Sequence, residues 1–282
     1  MNSKHLTSKQ LAAIYKNACM VELQALKPGN VHVFADGHGM TIHDFIKSAD
    51  VSAIVIAGPD LTVGERIFHA IDATQQAVGM NTNLGLILLC APLIHAALRR
   101  DVAQTFQQSL NNTLSHLTVD DASLAGQAIV LADPAGLGRI DEHDVYEKPS
   151  VTLLEMMHSA QNRDRIAWQY ANDFSDILGF GLTRYSEAMA KWENQVWATA
   201  ALYIGFMANQ LDTHVIRKYG DAIAISVMNE AQEVEASYWA TDNPKLMQKK
   251  LLEWDTSLKM RRINPGTSAD LTVACLLAAY LQ

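Results

Sequence analysis

The chain has 282 residues, of which 49% are hydrophobic, so it can bury a substantial core, and its length suits one large domain spanning 1–282. A formal charge of -8 argues against a general nucleic-acid binder, which would carry a basic stripe, and leaves any anionic substrate dependent on local help from Lys27, Arg184, Arg217 and Lys218, from helix N-termini, or from a divalent cation held by carboxylates. The three cysteines, Cys19, Cys90 and Cys275, lie far apart in apolar runs with no metal-ligand spacing, which predicts buried thiols.

In chain order, the first segment places Leu11, Ile14, Tyr15, Ala18, Val21 and Leu26 mostly three and four residues apart. That spacing predicts an amphipathic helix over 6–26, stopped by Lys27-Pro28-Gly29. Helices follow over 42–57, 62–79, 84–98, 101–116 and 119–132, with stops at Gly58-Pro59, Gly79 and Asp133-Pro134. Val51 to Ile56 is β-branched enough for a strand, but it continues the pattern of Phe45, Ile46 and Ala49 and reads as helix. The longest break runs from Asp133 to Pro149. Beyond it, helices are predicted over 150–160, 163–178, 183–190, 193–211, 213–228, 229–240, 243–258 and 268–281. With no strand ladder, the fold class is all-α: a compact multi-helix domain of antiparallel helices around a polar cleft.

The N-terminal Met1-Asn2-Ser3-Lys4-His5 has no apolar signal core, and the greasiest run, Leu84 to Leu98, is shorter than the ~20 residues of a membrane helix. A cytoplasmic protein without membrane partners is expected. Trp192, Trp197, Trp239 and Trp254 on apolar helices leave room for a homodimer.

Two polar runs at the edges of apolar stretches stand out: Lys27-Pro28-Gly29-Asn30-Val31-His32, and Asn264-Pro265-Gly266-Thr267-Ser268-Ala269-Asp270. Adjacent Pro and Gly force turns, and their neighbours offer cationic, amide, imidazole, hydroxyl and carboxylate groups. Glu22 lies about a turn and a half before Lys27 and can face that loop. Asn81-Thr82-Asn83 precedes a buried helix, either as a cap or as a phosphate or ribose site at a helix N-terminus. Asp212 and Thr213 begin a helix with Arg217 one turn in, and Asp270 falls in the first turn of the last helix, where the dipole favours a carboxylate. Together these edges suggest one cleft. The glycine-containing loop Asp133 to Arg139 lacks the spacing of a nucleotide fingerprint. The His-Asp pairs His43-Asp44 and His143-Asp144 suggest a phosphohydrolase metal site less well than they suggest capping and solvated loop.

The order of these motifs resembles the triphosphoribosyl-dephospho-coenzyme A synthase family, which makes the prosthetic-group precursor of citrate lyase or malonate decarboxylase. The resemblance rests on Glu22 with Lys27-Pro28-Gly29-Asn30-Val31, Phe45 with Ser48-Ala49, Gly79-Met80-Asn81-Thr82 followed by Gly85, Asp212-Thr213 with Arg217 and Gly220, and Pro265-Gly266 with Ala269-Asp270-Leu271. It implies an all-helical fold and a transferase in which a ribose hydroxyl of dephospho-coenzyme A attacks the anomeric carbon of ATP, adenine leaves, and the triphosphate stays on the sugar. On that basis Glu22, Asp212 and Asp270 are expected to stabilise the oxocarbenium-like ribose or hold Mg2+. Lys27 and Arg217 are assigned to phosphate, and Gly29, Asn30, His32, Asn81, Thr82, Asn83, Gly266 and Thr267 to substrate or phosphate binding. The chain departs from the family at Asn83-Leu84, where the synthases carry His-Lys, and at Gly37-His38-Gly39-Met40. These departures resemble a diverged branch of archaea and methylotrophic bacteria. They leave a second reading, a transferase or ligase on a phosphorylated precursor in methanopterin- or methanofuran-linked one-carbon cofactor synthesis, and a third, a non-catalytic nucleotide-binding protein.

Overall fold

The computed structural model describes residues 6–134, 145 and 147–282. Residues 135–144 and 146 of the predicted break from Asp133 to Pro149, with the second His-Asp pair, and the N-terminal five residues lie outside them. Among the described residues there are fourteen α-helices and no strand, as the apolar periodicity predicts.

The helices begin where the sequence supplies caps. Thr7, Thr62, Thr105, Thr118 and Thr152 each accept a hydrogen bond from the backbone N–H three residues on, and the Gln, Glu or Asp there bonds back to the cap N–H. These capping boxes set the starts of α1 (Ser8–Gln24), α3 (Val63–Val78), α5 (Phe106–Ser115), α6 (Val119–Ala132) and α7 (Leu153–Ala160). Asp44, at the start of α2 (Ile42–Ile56), likewise accepts from the Thr41 N–H at 2.7 Å, which accounts for the first His-Asp pair by capping.

The core is built on helices buried on nearly every face. In α10 (Gln195–Asn209) every residue from Ala198 to Ala208 is buried. In α4 (Leu84–Arg99) and α14 (Gly266–Leu281) most residues are buried as well. The many Ala, Gly and Cys residues on these helices suit close approach to neighbours, and α1, α4 and α10 all pack against α14.

Three boundaries differ from the sequence expectation. The run 163–178 is not one helix: α8 (Arg165–Ala171) ends, Asp173 and Phe174 take left-handed φ of 51° and 57°, and a π-helical turn (Asp176–Gly181) leads into α9 (Leu182–Trp192). Burial of Phe174 and a bidentate Arg165–Asp176 pair at 2.7 and 2.8 Å hold the break. The predicted junction at 228/229 lies instead at Gly220, whose φ of 81° separates α11 (Thr213–Tyr219) from α12 (Asp221–Trp239). Helix α5 starts at Phe106 rather than 101, after the Thr105 cap. A 3-10 turn (Pro244–Met247) and α13 (Gln248–Met260) complete the chain before α14. Among the described residues no helix is long and apolar enough to cross a membrane.

Candidate active site

The two Pro-Gly loops, more than two hundred residues apart, meet. Gly29 has φ of 84°, and a β-carbon there would stand 2.8 Å from Pro265 Cδ. Asn30 Nδ2 donates to Asn264 Oδ1 at 2.7 Å, and Tyr203 from α10 donates its hydroxyl to the Pro28 carbonyl at 2.8 Å. The Gly29 N–H donates to Asp255 Oδ1 at 2.8 Å, which ties the first loop to α13. Two histidines flank this joint. His38 Nε2 lies 2.7 Å from the Gly29 carbonyl and therefore carries the proton, while His214 covers Gly266 so closely that a β-carbon would fall 2.3 Å from Nδ1. Burial pushes the pKa of both imidazoles down, partly offset at His38 by the Gly29 carbonyl and at His214 by Asp212.

Above this joint opens a cavity of about 680 Å³ lined by α1, α2, α4, α6, α7, α8, α11 and α14, within the size range of small-molecule sites. Of the sequence-predicted residues, Glu22, Asn30, Asn81, Thr82, Asn83, Arg217, Gly266, Thr267 and Asp270 line it.

Asp270 stands at the N-terminus of α4, where it accepts the Leu86 N–H. There is room because residue 85 is glycine: a β-carbon there would lie 2.1 Å from Asp270 Oδ2. Desolvation, followed by the negative charges of Asp212, Glu22 and Asp164, pushes the Asp270 carboxyl well above the usual carboxylate range, and the Leu86 N–H only partly counters this. Glu22 is held by Lys27, whose ammonium donates to Glu22 Oε1 and, at 3.0 Å, to Asn30 Oδ1. Both members of the pair are buried. Burial raises Glu22 and lowers Lys27, and each charge opposes the other's shift.

Four predicted residues stand behind the cavity wall. Lys27 points back to Glu22. Gly29 supplies the left-handed turn. His32 is buried with Nδ1 accepting from the Phe34 N–H at 3.3 Å and Nε2 3.4 Å from Asp255 Oδ1. Asp212 Oδ1 accepts from the N–H groups of His214 and Val215 at 3.0 and 3.1 Å, and Oδ2 accepts from the backbone N–H and hydroxyl of Ser268, both at 2.8 Å. It thereby caps α11 and fastens it to the first turn of α14.

The helix-start amides have mixed parts. Asn81 Oδ1 accepts from the Leu84 N–H at 3.2 Å, Thr82 shares a 2.6 Å hydrogen bond with Ser48, and Asn83 Nδ2 donates to Thr74 at 3.0 Å. Arg217 pairs with Asp164 at 3.0 Å at the rim, beside Lys218 and Arg163. Arg184 lies elsewhere, paired with Glu235 at 2.9 Å.

Sequence reasoning did not single out Arg163, Asp164, His214 or the apolar wall of Met156, Met157 and Ile166, all of which line the cavity. Asp164 carries the signature of an N-cap and was open to recognition as a helix start; its orientation toward Arg217 is a tertiary fact. Among the described residues no three His, Cys, Asp or Glu side chains gather as a metal site. Asp212 has both oxygens engaged and Glu22 is bound to Lys27, so these acids do not converge as a protein-held Mg2+ site.

The cavity joins Glu22, Asp270 and Asp164 with the cations Arg163, Arg217 and Lys218 in one helical enclosure, a lining that suits an anionic small molecule. The family model for CitG, the ATP:dephospho-CoA triphosphoribosyl transferases, matches residues 8–282, and the chain belongs to that family. The fold is similar to the crystal structure of a protein from Archaeoglobus fulgidus provisionally assigned as a triphosphoribosyl-dephospho-CoA synthase, with a TM-score of 0.63 and 21% identity, covering 84% of this chain and 97% of that one. A comparison with curated proteins returns no match. The enzyme is thus a transferase of the family type, moving the triphosphoribosyl group of ATP to dephospho-CoA with release of adenine, and the family match favours this over the one-carbon cofactor reading.

Proposed function

We propose that ATP binds with its ribose over Glu22 and Asp270 and its triphosphate toward Arg217 and Lys218. The observation that carries this orientation is the Asp270 carboxylate at the N-terminus of α4. That helix end is a natural anion site, but the Asp270 carboxyl already accepts the Leu86 N–H and fills the space over Gly85, so a polyphosphate placed there would find the donor spent and the place taken. The rim cations Arg217 and Lys218 offer opposite charge.

Breaking the glycosidic bond to adenine builds positive charge at the anomeric carbon. Glu22, kept anionic by Lys27, stabilises that charge. Asp270 takes the proton from the attacking hydroxyl of dephospho-CoA in its ionised form, which the raised pKa makes a stronger base than an exposed carboxylate. The new bond joins that hydroxyl oxygen to the anomeric carbon, the bond to adenine breaks, and the departing base gains one proton, so the sum is neutral. Asn30, Asn81 and Thr82 position the sugar. Magnesium enters as the cation of the ATP phosphates, a role that needs few protein ligands.

Calorimetric titration with ATP, with and without Mg2+, followed by an adenine-release assay on adding dephospho-CoA, tests the reading. ATP binding that is weakened about tenfold by Arg217→Ala and Lys218→Ala together, with adenine released only when acceptor is present, is expected. ATP binding indifferent to both substitutions would overturn the orientation.

A further inference from the structure

The cavity has a second character away from its acids. Between α6, α7 and α8 its wall includes Ile129, Met156, Met157, Ala160, Ile166 and Ala167, none of which carries a hydrogen-bonding side chain, with Asp133 and Asp164 at the helix ends that border it. Met156, Met157, Ile166 and Ala167 have at most 7% of their surface exposed. A helix pair burying methionines along an open space keeps an apolar surface that can adapt to a flexible guest. At its edge, in the turn joining α7 to α8, Arg163 also faces the cavity and is exposed.

The two substrates of the family reaction both carry adenosine and phosphate, and they differ in the pantetheine arm that only dephospho-CoA has. The polar wall of Asn30, Asn81, Thr82 and His214 suits the edges of sugar and base, and the α6–α8 wall does not. The geometry points to this apolar wall as the acceptor pocket: the gem-dimethyl and ethylene segments of the pantetheine arm lie against Met156, Met157 and Ile166, with Arg163 on the diphosphate. This assignment rests on dephospho-CoA being the acceptor. It explains how one cavity can distinguish two adenine nucleotides, since the arm reaches a surface that ATP has no group to fill.

The test uses Met157→Gln, close in length but polar, beside the conservative Met157→Leu. Binding of 4′-phosphopantetheine to the full chain is measured by calorimetry, and adenine release is measured at varied ATP and dephospho-CoA. Wild type should bind 4′-phosphopantetheine. Met157→Gln should weaken that binding and raise the KM for dephospho-CoA about tenfold while the KM for ATP stays within twofold, and Met157→Leu should restore both. Thermal unfolding of each variant reports whether it folds. Wild type that does not bind 4′-phosphopantetheine, or a folded Met157→Gln with unchanged dephospho-CoA KM, overturns the pocket. Wild type that binds 4′-phosphopantetheine yet releases no adenine with ATP and dephospho-CoA would overturn the reaction and leave the pocket standing.

Discussion

The carboxylate of Asp270 occupies the space that a side chain on residue 85 would take: a β-carbon on Gly85 would sit 2.1 Å from Asp270 Oδ2. Gly85 is in the first turn of α4, where alanine would favour the helix by about 1 kcal/mol. Its absence is therefore a local cost that makes room for the acid. Gly85→Ala should leave thermal stability within a few degrees of wild type while adenine release falls about 100-fold, the penalty of displacing a reacting group by an ångström or so. Full activity in the alanine variant would show that Asp270 need not stand there.

Asp270 also has a pH signature. Its folded pKa is raised by burial and by neighbouring acids, so between the unfolded carboxylate range and that raised value the folded state holds the extra proton. Stability from this group is fully present below about pH 4 and declines as pH rises toward the folded pKa. Asp270→Asn removes the decline. The variant should gain melting temperature relative to wild type at pH 8 but not at pH 4, and its turnover should drop by about 10²- to 10⁴-fold. A difference in melting temperature independent of pH would contradict the raised pKa.

Much of this site was legible because it is written in turn chemistry and helix ends. Pro28-Gly29 and Pro265-Gly266 interrupt apolar helices, and residues at such interruptions come to the rim of a helical bundle; Glu22, Asn30, Thr267 and Asp270 all line the cavity. What sequence did not reveal depends on partners distant in the chain. Asp212, an acid at a helix start, has the same local pattern whether it caps or reacts, and only Ser268 decides that both its oxygens are spent. Lys27 reads as a phosphate ligand until its ammonium is seen to turn back to Glu22. The break at Asp173 and Phe174 runs against an uninterrupted helical pattern, because burial of Phe174 compensates a left-handed backbone that local preference disfavours. Gly220 was readable as a stop, but the apolar pattern resumes directly after it and hides the joint.

The Glu22–Lys27 pair makes a stability prediction of a different kind. Both side chains are buried, and removing one partner leaves an uncompensated charge. Lys27→Met should destabilise the protein by about 3–5 kcal/mol in urea unfolding at pH 7. Glu22 then loses the charge that holds its pKa down, so its folded pKa rises further and the deficit grows as pH increases from 4 to 8. Adding Glu22→Gln to Lys27→Met should recover most of the stability and none of the activity. A double variant as unstable as the single one would mean that packing around the lysine stem, rather than the orphaned carboxylate, dominates.

Asp212 separates fastening from chemistry. Its four accepted hydrogen bonds cap α11 and satisfy the Ser268 N–H, and Thr267, next to that contact, faces the cavity and accepts from the His214 N–H at 3.1 Å. We read Asp212 as a positioning residue for the joint that carries His214, Thr267 and, one turn further on, Asp270. Asp212→Asn keeps a good cap but exchanges a charged acceptor for a neutral amide, so it should cost about 1–2 kcal/mol. Asp212→Ala loses the cap and orphans the buried Ser268 N–H, for about 2–4 kcal/mol. If positioning is its role, Asp212→Asn keeps kcat within about tenfold at temperatures where it is folded, against the 10²- to 10⁴-fold loss expected on removing a proton-transfer group. A loss of that larger size in a folded Asp212→Asn variant, with substrate KM unchanged, would put the carboxylate charge into the chemistry itself.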